Sequence, residues 1–575
     1  MSRLFLTLRV VLVGALVATI GCAPQQPFYF FEDGDLSHYI ETATEVEFPD
    51  VENPTLDDVT GAIPPLTLDN PEPTEVWELT LEEAVKFALD NSKVIRSFSP
   101  GPLGQIVDRL QTNPDFASTV YNPAVTETDP RFGVAAALAA FDTQLTTSAS
   151  WEKNDTIRNP FVFFGSTTAF PSLARQDTGT FQAQLRKTAA TGGTWTLRHN
   201  VFYDYQPDVA RLFTSDWTTN VEAEFRQPLL QGNGVQFNRI AGPGSIPGYN
   251  YGVMIARVNT DISLTEFEGQ VRNLVNDVER AYWELHFAYH QLDAHLEARD
   301  RALAVWRERQ AVLAVGGVGV GIPGKVATDE ALARHQVFLF RGLVEDAQSF
   351  LYSVESNLRY IMGLAATDGR LIRPADEPTT AMVHFDYHEA HCEAMVRSMH
   401  LRKQKWQIKK REMELIAAKN YVLPRLDAVG RYRWLGLGDD LIDPDNLTSN
   451  AYGSMTGGNF QEWMLGFDLT IPLGFRKEMA GVRNAQLNLA RERAVLQELE
   501  LEVSHALQEA MRGLHKNYQT CESALNRRLA AEDELETWEA IEAGGLTVDE
   551  DRRLLAQQRL AQAQIEYYQA LKSYN

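Results

Sequence analysis

The sequence predicts a mixed α and β membrane protein in which amphipathic strands of barrel-wall length run into long coiled-coil helices. Three observations carry that expectation. Segments of strict polar and apolar alternation come in pairs, the second member of each pair exits through proline, and each pair precedes a proline-free heptad run with a glycine turn and a returning helix. The pattern occurs twice, over about 79–364 and 387–575, so one elongated body replaces the several domains that 575 residues would otherwise suggest.

At the N-terminus, Arg3 and Arg9 precede the apolar run Val10 to Ile20. That run is too short for a membrane-spanning helix and reads as an export signal over residues 1–22. Ile20-Gly21-Cys22 resembles the end of a bacterial lipobox, which is cut before a cysteine that then carries lipid, although Thr19 stands where that pattern prefers Leu. Cys22 is therefore the lipidation candidate, with ordinary cleavage near Ala23 as the alternative; acylation would add about 0.8 kcal/mol of membrane affinity per buried methylene. Either route places the mature chain outside the cytoplasm. Cys392 and Cys521 are too few for a disulfide framework. Residues 23–78, rich in Pro, Asp and Glu, read as a flexible leader. A formal charge of -24 argues against a non-specific nucleic-acid partner and suits either a solvated exterior or a cation-attracting lumen.

Four wall strands are expected, at about 141–153, 219–230, 424–436 and 460–472. Phe141, Leu145, Ala149 and Trp151 alternate with Asp142, Gln144, Ser148 and Glu152, and Val221, Ala223 and Phe225 alternate with Glu222, Glu224 and Arg226. In the second half, Leu426, Ala428, Gly430, Tyr432 and Trp434 oppose Arg425, Asp427, Arg431 and Arg433. Trp463, Leu465, Phe467, Leu469 and Ile471 likewise oppose Glu462, Asp468 and Thr470. A soluble sandwich would show the same alternation, but segments of about ten residues with aromatic ends suit a transmembrane antiparallel β-barrel. Four strands cannot close a barrel and an open edge cannot sit in lipid, so several chains would have to contribute. Residues 179–187 and 194–203 form a further hairpin pattern around Gly192-Gly193, which either lengthens an external loop together with Phe161 to Phe170, the favoured reading, or enters the wall.

From about 250 to 314, Leu264, Phe267, Val271, Leu274, Val278, Ala281, Leu285, Ala288 and Leu292 step by three and four, a heptad seam. Such a helix would reach roughly 95 Å. The second half repeats it over about 478–542 with Leu496, Leu499, Val503, Ala506 and Ala510, and returning helices are expected over about 326–364 and 547–575. Pro228 and Pro472 mark the strand-to-helix junctions, since proline ends a ladder and can begin a helix. A structural periplasmic coiled-coil lipoprotein without a pore is the competing reading; it leaves the proline-terminated amphipathic strands unexplained.

Together these residues resemble the TolC family of outer-membrane efflux proteins over about 79–575. Leu79-Thr80-Leu81-Glu82-Glu83-Ala84 resembles the family's opening helix, Leu423-Pro424-Arg425-Leu426 a strand entry, Gln227-Pro228-Leu229-Leu230 and Ile471-Pro472-Leu473 strand exits, and Gly545-Leu546-Thr547 with Asp551, Leu554, Gln557 and Leu560 a hairpin turn. The resemblance implies a homotrimer with four strands per chain, a twelve-stranded barrel in outer-membrane lipid, and a long α-helical coiled-coil barrel crossing the periplasm. It further implies a passive exit duct of a tripartite efflux or type I secretion system, docked at tips Gly324, Gly545, Leu546 and Thr547 onto a periplasmic adaptor that links an inner-membrane pump. Acidic residues six positions past the tip glycine narrow the family's entrance, which gives Asp551 from Gly545 and Glu330 from Gly324; alignment on Gln557 instead lands on Arg552. The glycine-rich first tip, Gly316 to Gly324, departs from the pattern, and the chain stops at Tyr574-Asn575 where the family usually continues, as a truncated end would.

No cofactor, metal or catalytic residue is expected. Gly319 to Lys325 reads G-x-x-x-x-G-K, but Val326 replaces the hydroxyl that would hold magnesium and a helix precedes where a strand is needed. His384, His388, His391 and Cys392 tempt a zinc reading, but His388-Glu389-Ala390-His391 lacks the i, i+4 spacing of a metalloprotease helix, and a solvated helix face is the favoured reading.

Overall fold

The computed structural model describes residues 63–70, 73–96, 118–157, 173–207, 211–314, 323–443, 450–544 and 550–575. Cys22, the export signal and the Phe161–Phe170 stretch lie outside them. The expected leader ends in structure: β1 (Glu75–Leu79) pairs in parallel with Arg370–Pro374 of the strand introduced below as β6, and Leu79 is fully buried. Apolar residues at the end of an otherwise polar segment find a buried partner strand there.

Helix α1 (Leu81–Asn91) opens with a capping box: Glu83 N donates to Thr80 Oγ1 (3.3 Å) and Thr80 N to Glu83 Oε2 (3.2 Å). Two otherwise orphaned donors are thereby satisfied, which fixes the helix start. Two short helices, α2 (Asn122–Thr128) and α3 (Val134–Ala139), lead into the meander β2 (Gln144–Ile157), β3 (Leu173–Thr188), β4 (Thr194–Tyr205) and β5 (Ser215–Pro228). A small helix α4 (Val235–Ala241) then gives way to α5 (Val253–Ala314) and α6 (Pro323–Met362). Strand β6 (Arg370–Pro374), α7 (Tyr387–Arg397) and α8 (Met399–Tyr421) connect to β7 (Arg425–Gly438), α9 (Ala451–Thr456) and β8 (Gln461–Thr470), and the chain closes with α10 (Arg476–Ala543) and α11 (Glu550–Tyr574).

The 62 residues of α5 and 68 of α10 correspond to helices of about 90–100 Å. In α5, Leu274, Val278, Ala281, Leu285 and Ala288 of the heptad seam are buried against α1, α6 and β6, while Leu264 is exposed. Tyr282 secures this core: its hydroxyl donates to the Leu79 carbonyl (3.0 Å) and accepts from Asp376 N (3.0 Å). Buried Arg359 donates to Glu355, to Asp368 (2.8 Å) and to the Arg370 carbonyl (2.7 Å), so its charge is fully partnered. The α10 stripe is less covered within one chain, with Leu496, Leu499 and Val503 half-buried and Ala506 and Ala510 exposed.

One antiparallel sheet carries six strands in the order β2-β3-β4-β5-β7-β8. The sheet thus holds six strands where four were expected, and residues 179–203 lie within it, against the favoured reading of an external loop. The β3–β4 turn sits at the helix end of the sheet, where Gly234 N donates to the Thr191 carbonyl (3.1 Å) and Thr191 Oγ1 to Gln227 Oε1 (3.2 Å). Gly192 makes the tight approach possible: at φ +89 a Cβ would stand 2.4 Å from the Gly232 carbonyl oxygen. The two halves are therefore unequal, giving this sheet four strands before α5 and two between α6 and α10.

Candidate functional site

Register decides which side chains share a face. Leu145, Leu185, Leu197, Ala223, Tyr432 and Trp463 stand opposite one another in turn, forming an apolar row across all six strands. The neighbouring row, Thr146, Gln184, Arg198, Glu222, Arg433 and Glu462, is polar throughout and lies on the other face.

The apolar face is open to its surroundings: Trp463 is 73% exposed, Leu465 77% and Phe467 73%. Isolated exposed apolar residues are ordinary, but a continuous sheet face of them marks an interaction with lipid or protein. Aromatics gather at two levels on it. Trp195 and Phe225 meet near the helix end (4.3 Å between ring centroids), and near the far end Trp151 stacks on Tyr203 (4.9 Å), which meets Trp217 at a tilt (4.7 Å). Eight residues of β4 separate Trp195 from Tyr203, about 26 Å of strand and about 20 Å of height at the usual barrel tilt, close to the apolar band of an outer-membrane barrel. Leu185, Trp195, Leu197, Phe225 and Trp463 line a hollow of about 760 Å³ at the helix-end level. Helix α9 covers the polar exceptions on this face, with Tyr452 Oη 2.8 Å from His199 Nε2 and the Ala451 carbonyl accepting from Thr219 Oγ1 (3.4 Å).

On the polar face Glu222, 1% exposed, accepts from Arg198 (2.6 Å) and from Arg433 through Nε (2.8 Å), with Arg431 at 3.9 Å. Arg433 also reaches Glu462 (3.2 Å), and Arg198 donates to Gln184 (3.1 Å), so the network spans β3 to β8. A second cluster near the helices joins Arg226 to Asp427 and Asp468, each at 3.0 Å. Periodicity places these charges on one face but is silent on who meets whom, so the buried Glu222 was not singled out by sequence. The arginines of β7 facing acids of β5 were its only signal.

At the junctions, Pro228 is the last residue of β5, opposite Asp427, and the chain continues pairing through Leu229 N to the Leu426 carbonyl (2.7 Å). Neither proline begins a helix. Gly232 and Gly234, both with positive φ, intervene before α4, and Gly474 and Phe475 do so after Pro472. The strand-to-helix reversal needs left-handed backbone, which proline cannot supply.

At the helical tips, Gly324 lies in the first turn of α6, while Gly545, Leu546 and Thr547 lie outside the described residues. Val305, Ala333 and Leu554 pack together, so both hairpin ends are held side by side. Asp551 is exposed. Glu330 is committed internally: its carboxylate accepts from Trp306 Nε1 (2.9 Å) and lies 3.9 Å from Arg334. Of the remaining sequence candidates, His388 and His391 lie against the Tyr387 ring, and residues 319–322 of the glycine-rich loop are outside the described residues. Among the described residues no group of His, Cys, Asp and Glu is placed to hold a metal, and no helix is long and apolar enough to cross a membrane.

Long helical hairpins running from one amphipathic antiparallel sheet make up the fold. No family model matches the chain, and no curated protein matches it. Solved structures do. A structure of CusC, described in terms of transmembrane channel formation, superposes with a TM-score of 0.52 at 13% identity, covering 91% of this chain and 98% of that one. The outer-membrane channel OprN gives 0.52 at 13% identity over 92% and 97% of the two chains, and the outer-membrane protein VceC of Vibrio cholerae gives 0.51 at 12% over 86% and 93%. The fold of this chain is that of these outer-membrane channels, the TolC-type fold its sequence resembles.

Proposed function

We propose that this chain is the outer-membrane exit duct of a tripartite efflux or type I secretion system, passively conducting substrate from an inner-membrane pump and periplasmic adaptor to the exterior. The observation that carries the reading is a sheet with one largely exposed apolar face and one polar face, leading through short turns into helices of about 90–100 Å. An apolar outside and polar inside is what a lipid-embedded conduit requires, and the helices have the reach to extend the conduit into the periplasm.

Three copies assemble in this reading, each half of the duplicated chain giving strands and a helical hairpin, with lipid on Cys22 as a further anchor. The open edges of β2 and β8 and the only partly covered stripe of α10 support assembly with other copies. The tips at Gly324 and at Gly545, Leu546 and Thr547 meet the adaptor, and Asp551 and Glu330 narrow the entrance. Opening is a change between packed helical states, so the chain has no catalytic role and needs no cofactor.

Planar-bilayer recording of the purified full chain tests this reading. Discrete cation-sensitive conductance is expected; a protein that extracts as a monomer and never conducts is instead a coiled-coil spacer. Asp551→Ala should weaken cation block without changing thermal stability. Glu330→Ala should also cost about 1 kcal/mol of stability, because the Trp306 indole loses its acceptor. Unchanged currents in both variants would remove these residues from the entrance.

A further inference from the structure

We propose that the β3–β4 hairpin is a third pair of membrane-facing wall strands, so that three copies of this chain enclose eighteen strands, six from each, instead of the twelve that four-stranded contributions would give. This rests on the duct reading and goes beyond it by setting the width of the pore.

Four observations place the hairpin in the wall. It is central: β3 and β4 stand between β2 and β5, and removing them would detach β2 from the sheet. Its faces continue those of its neighbours, with Leu185 and Leu197 in the apolar row and Gln184 and Arg198 in the polar one. Its polar side is tied into the wall by the ion pair from Arg198 to Glu222 of β5 (2.6 Å). Finally, β3 has 16 residues and β4 has 12, each long enough to cross a bilayer at barrel tilt, which takes about 9–11.

The geometric consequence follows from closure. Barrel diameter grows roughly in proportion to strand number when tilt and stagger are unchanged, so eighteen strands would be about 1.5 times as wide as twelve. A wider outer section would pass bulkier cargo, leaving the helical entrance as the size limit. Gln184 and Arg198 would line this section.

The test uses full-length protein in lipid nanodiscs carrying Cys392→Ser and Cys521→Ser, with one new cysteine at a time: Gln184→Cys, Leu185→Cys or Leu465→Cys. Labelling by a membrane-impermeant maleimide is read on the peptide bearing the new cysteine. Alternation through the wall predicts Gln184→Cys reacting about tenfold faster than Leu185→Cys, with Leu465→Cys as protected as Leu185→Cys. Fast labelling at Leu185→Cys with protection at Leu465→Cys would take the hairpin out of the wall while leaving a barrel. Fast labelling at both apolar positions would sink the duct reading itself. Electron cryomicroscopy of the same sample counts the strands directly: eighteen supports the proposal and twelve overturns it.

Discussion

At the scale of single residues, Glu222 ties the strands together. Its carboxylate is 1% exposed and serves Arg198 and Arg433, themselves about a quarter exposed. Removing one member of a buried ion network leaves the others uncompensated, which costs about 3 kcal/mol or somewhat less where the partners are partly solvated. Glu222→Gln should therefore lower the thermal unfolding midpoint of the β region, and the double variant Glu222→Gln with Arg433→Gln should lose less than the sum of its parts. Additive losses would show that Glu222 and Arg433 act independently. This residue also shows where the sequence stops being legible. Alternation puts Glu222 and Glu224 equally on the polar face; only the pairing of strands distant in sequence sets Glu222 between two arginines and Glu224 between Thr196 and Arg431. A period of two carries the face and says nothing of the register.

At the scale of elements, the long helices were the most legible because a heptad seam repeats over many turns, and the β3–β4 hairpin was the least. Its two strands and the Gly192-Gly193 turn can be read locally, yet whether it enters a wall depends on a stitch to Gly234 some forty residues away. The contact between α5 and α11 is similarly non-local. His290 stacks on Tyr568 at 3.9 Å, and His286 lies 3.3 Å from His290 between their ring nitrogens. Burial, with His290 beside it, lowers His286 to about 4, and burial together with Arg373 and Arg528 lowers His290. Both rings are thus held neutral in the folded chain, while the unfolded chain takes up their protons near 6.5. The His286 contribution is fully present above pH 6.5 and is lost as pH falls toward about 4, and that of His290, lowered too, is lost in the same direction. For His286 this amounts to ~2 kcal/mol after allowance for its partial exposure. Unfolding midpoints at pH 7.5, 5.5 and 4.5 should fall more steeply for the native chain than for His286→Phe; parallel curves would show that this ring does not couple folding to protons.

At the scale of the whole molecule, the sheet is incomplete in one chain. Strands β2 and β8 end it without further partners among the described residues, and the β8 face carrying Leu465, Phe467 and Leu469 is exposed. Water would pair the open backbone of such an edge, but lipid cannot, so a membrane-embedded sheet of this kind must close against neighbouring copies. The need for several chains was legible from the small number of amphipathic strands, whereas which edges would meet was not, because alternation within a strand says nothing of its neighbours. If the face meets lipid, a charge placed at mid-height should block insertion while sparing the helices, whose cores are built from separate residues. Leu465→Asp with Phe467→Asp is the variant to make, since a charged side chain on the lipid face costs roughly 2–4 kcal/mol for a base at the midplane and less for an acid. The expected result is near-native helical circular dichroism, loss of stable membrane insertion, and loss of the closed oligomer in detergent. The same pair of changes on the polar face, at Gln182 and Gln184, should leave insertion intact. If the acidic apolar-face variant inserts and assembles as well as the native chain, that face does not meet lipid, and the barrel would have to be abandoned in favour of a protein-covered sheet.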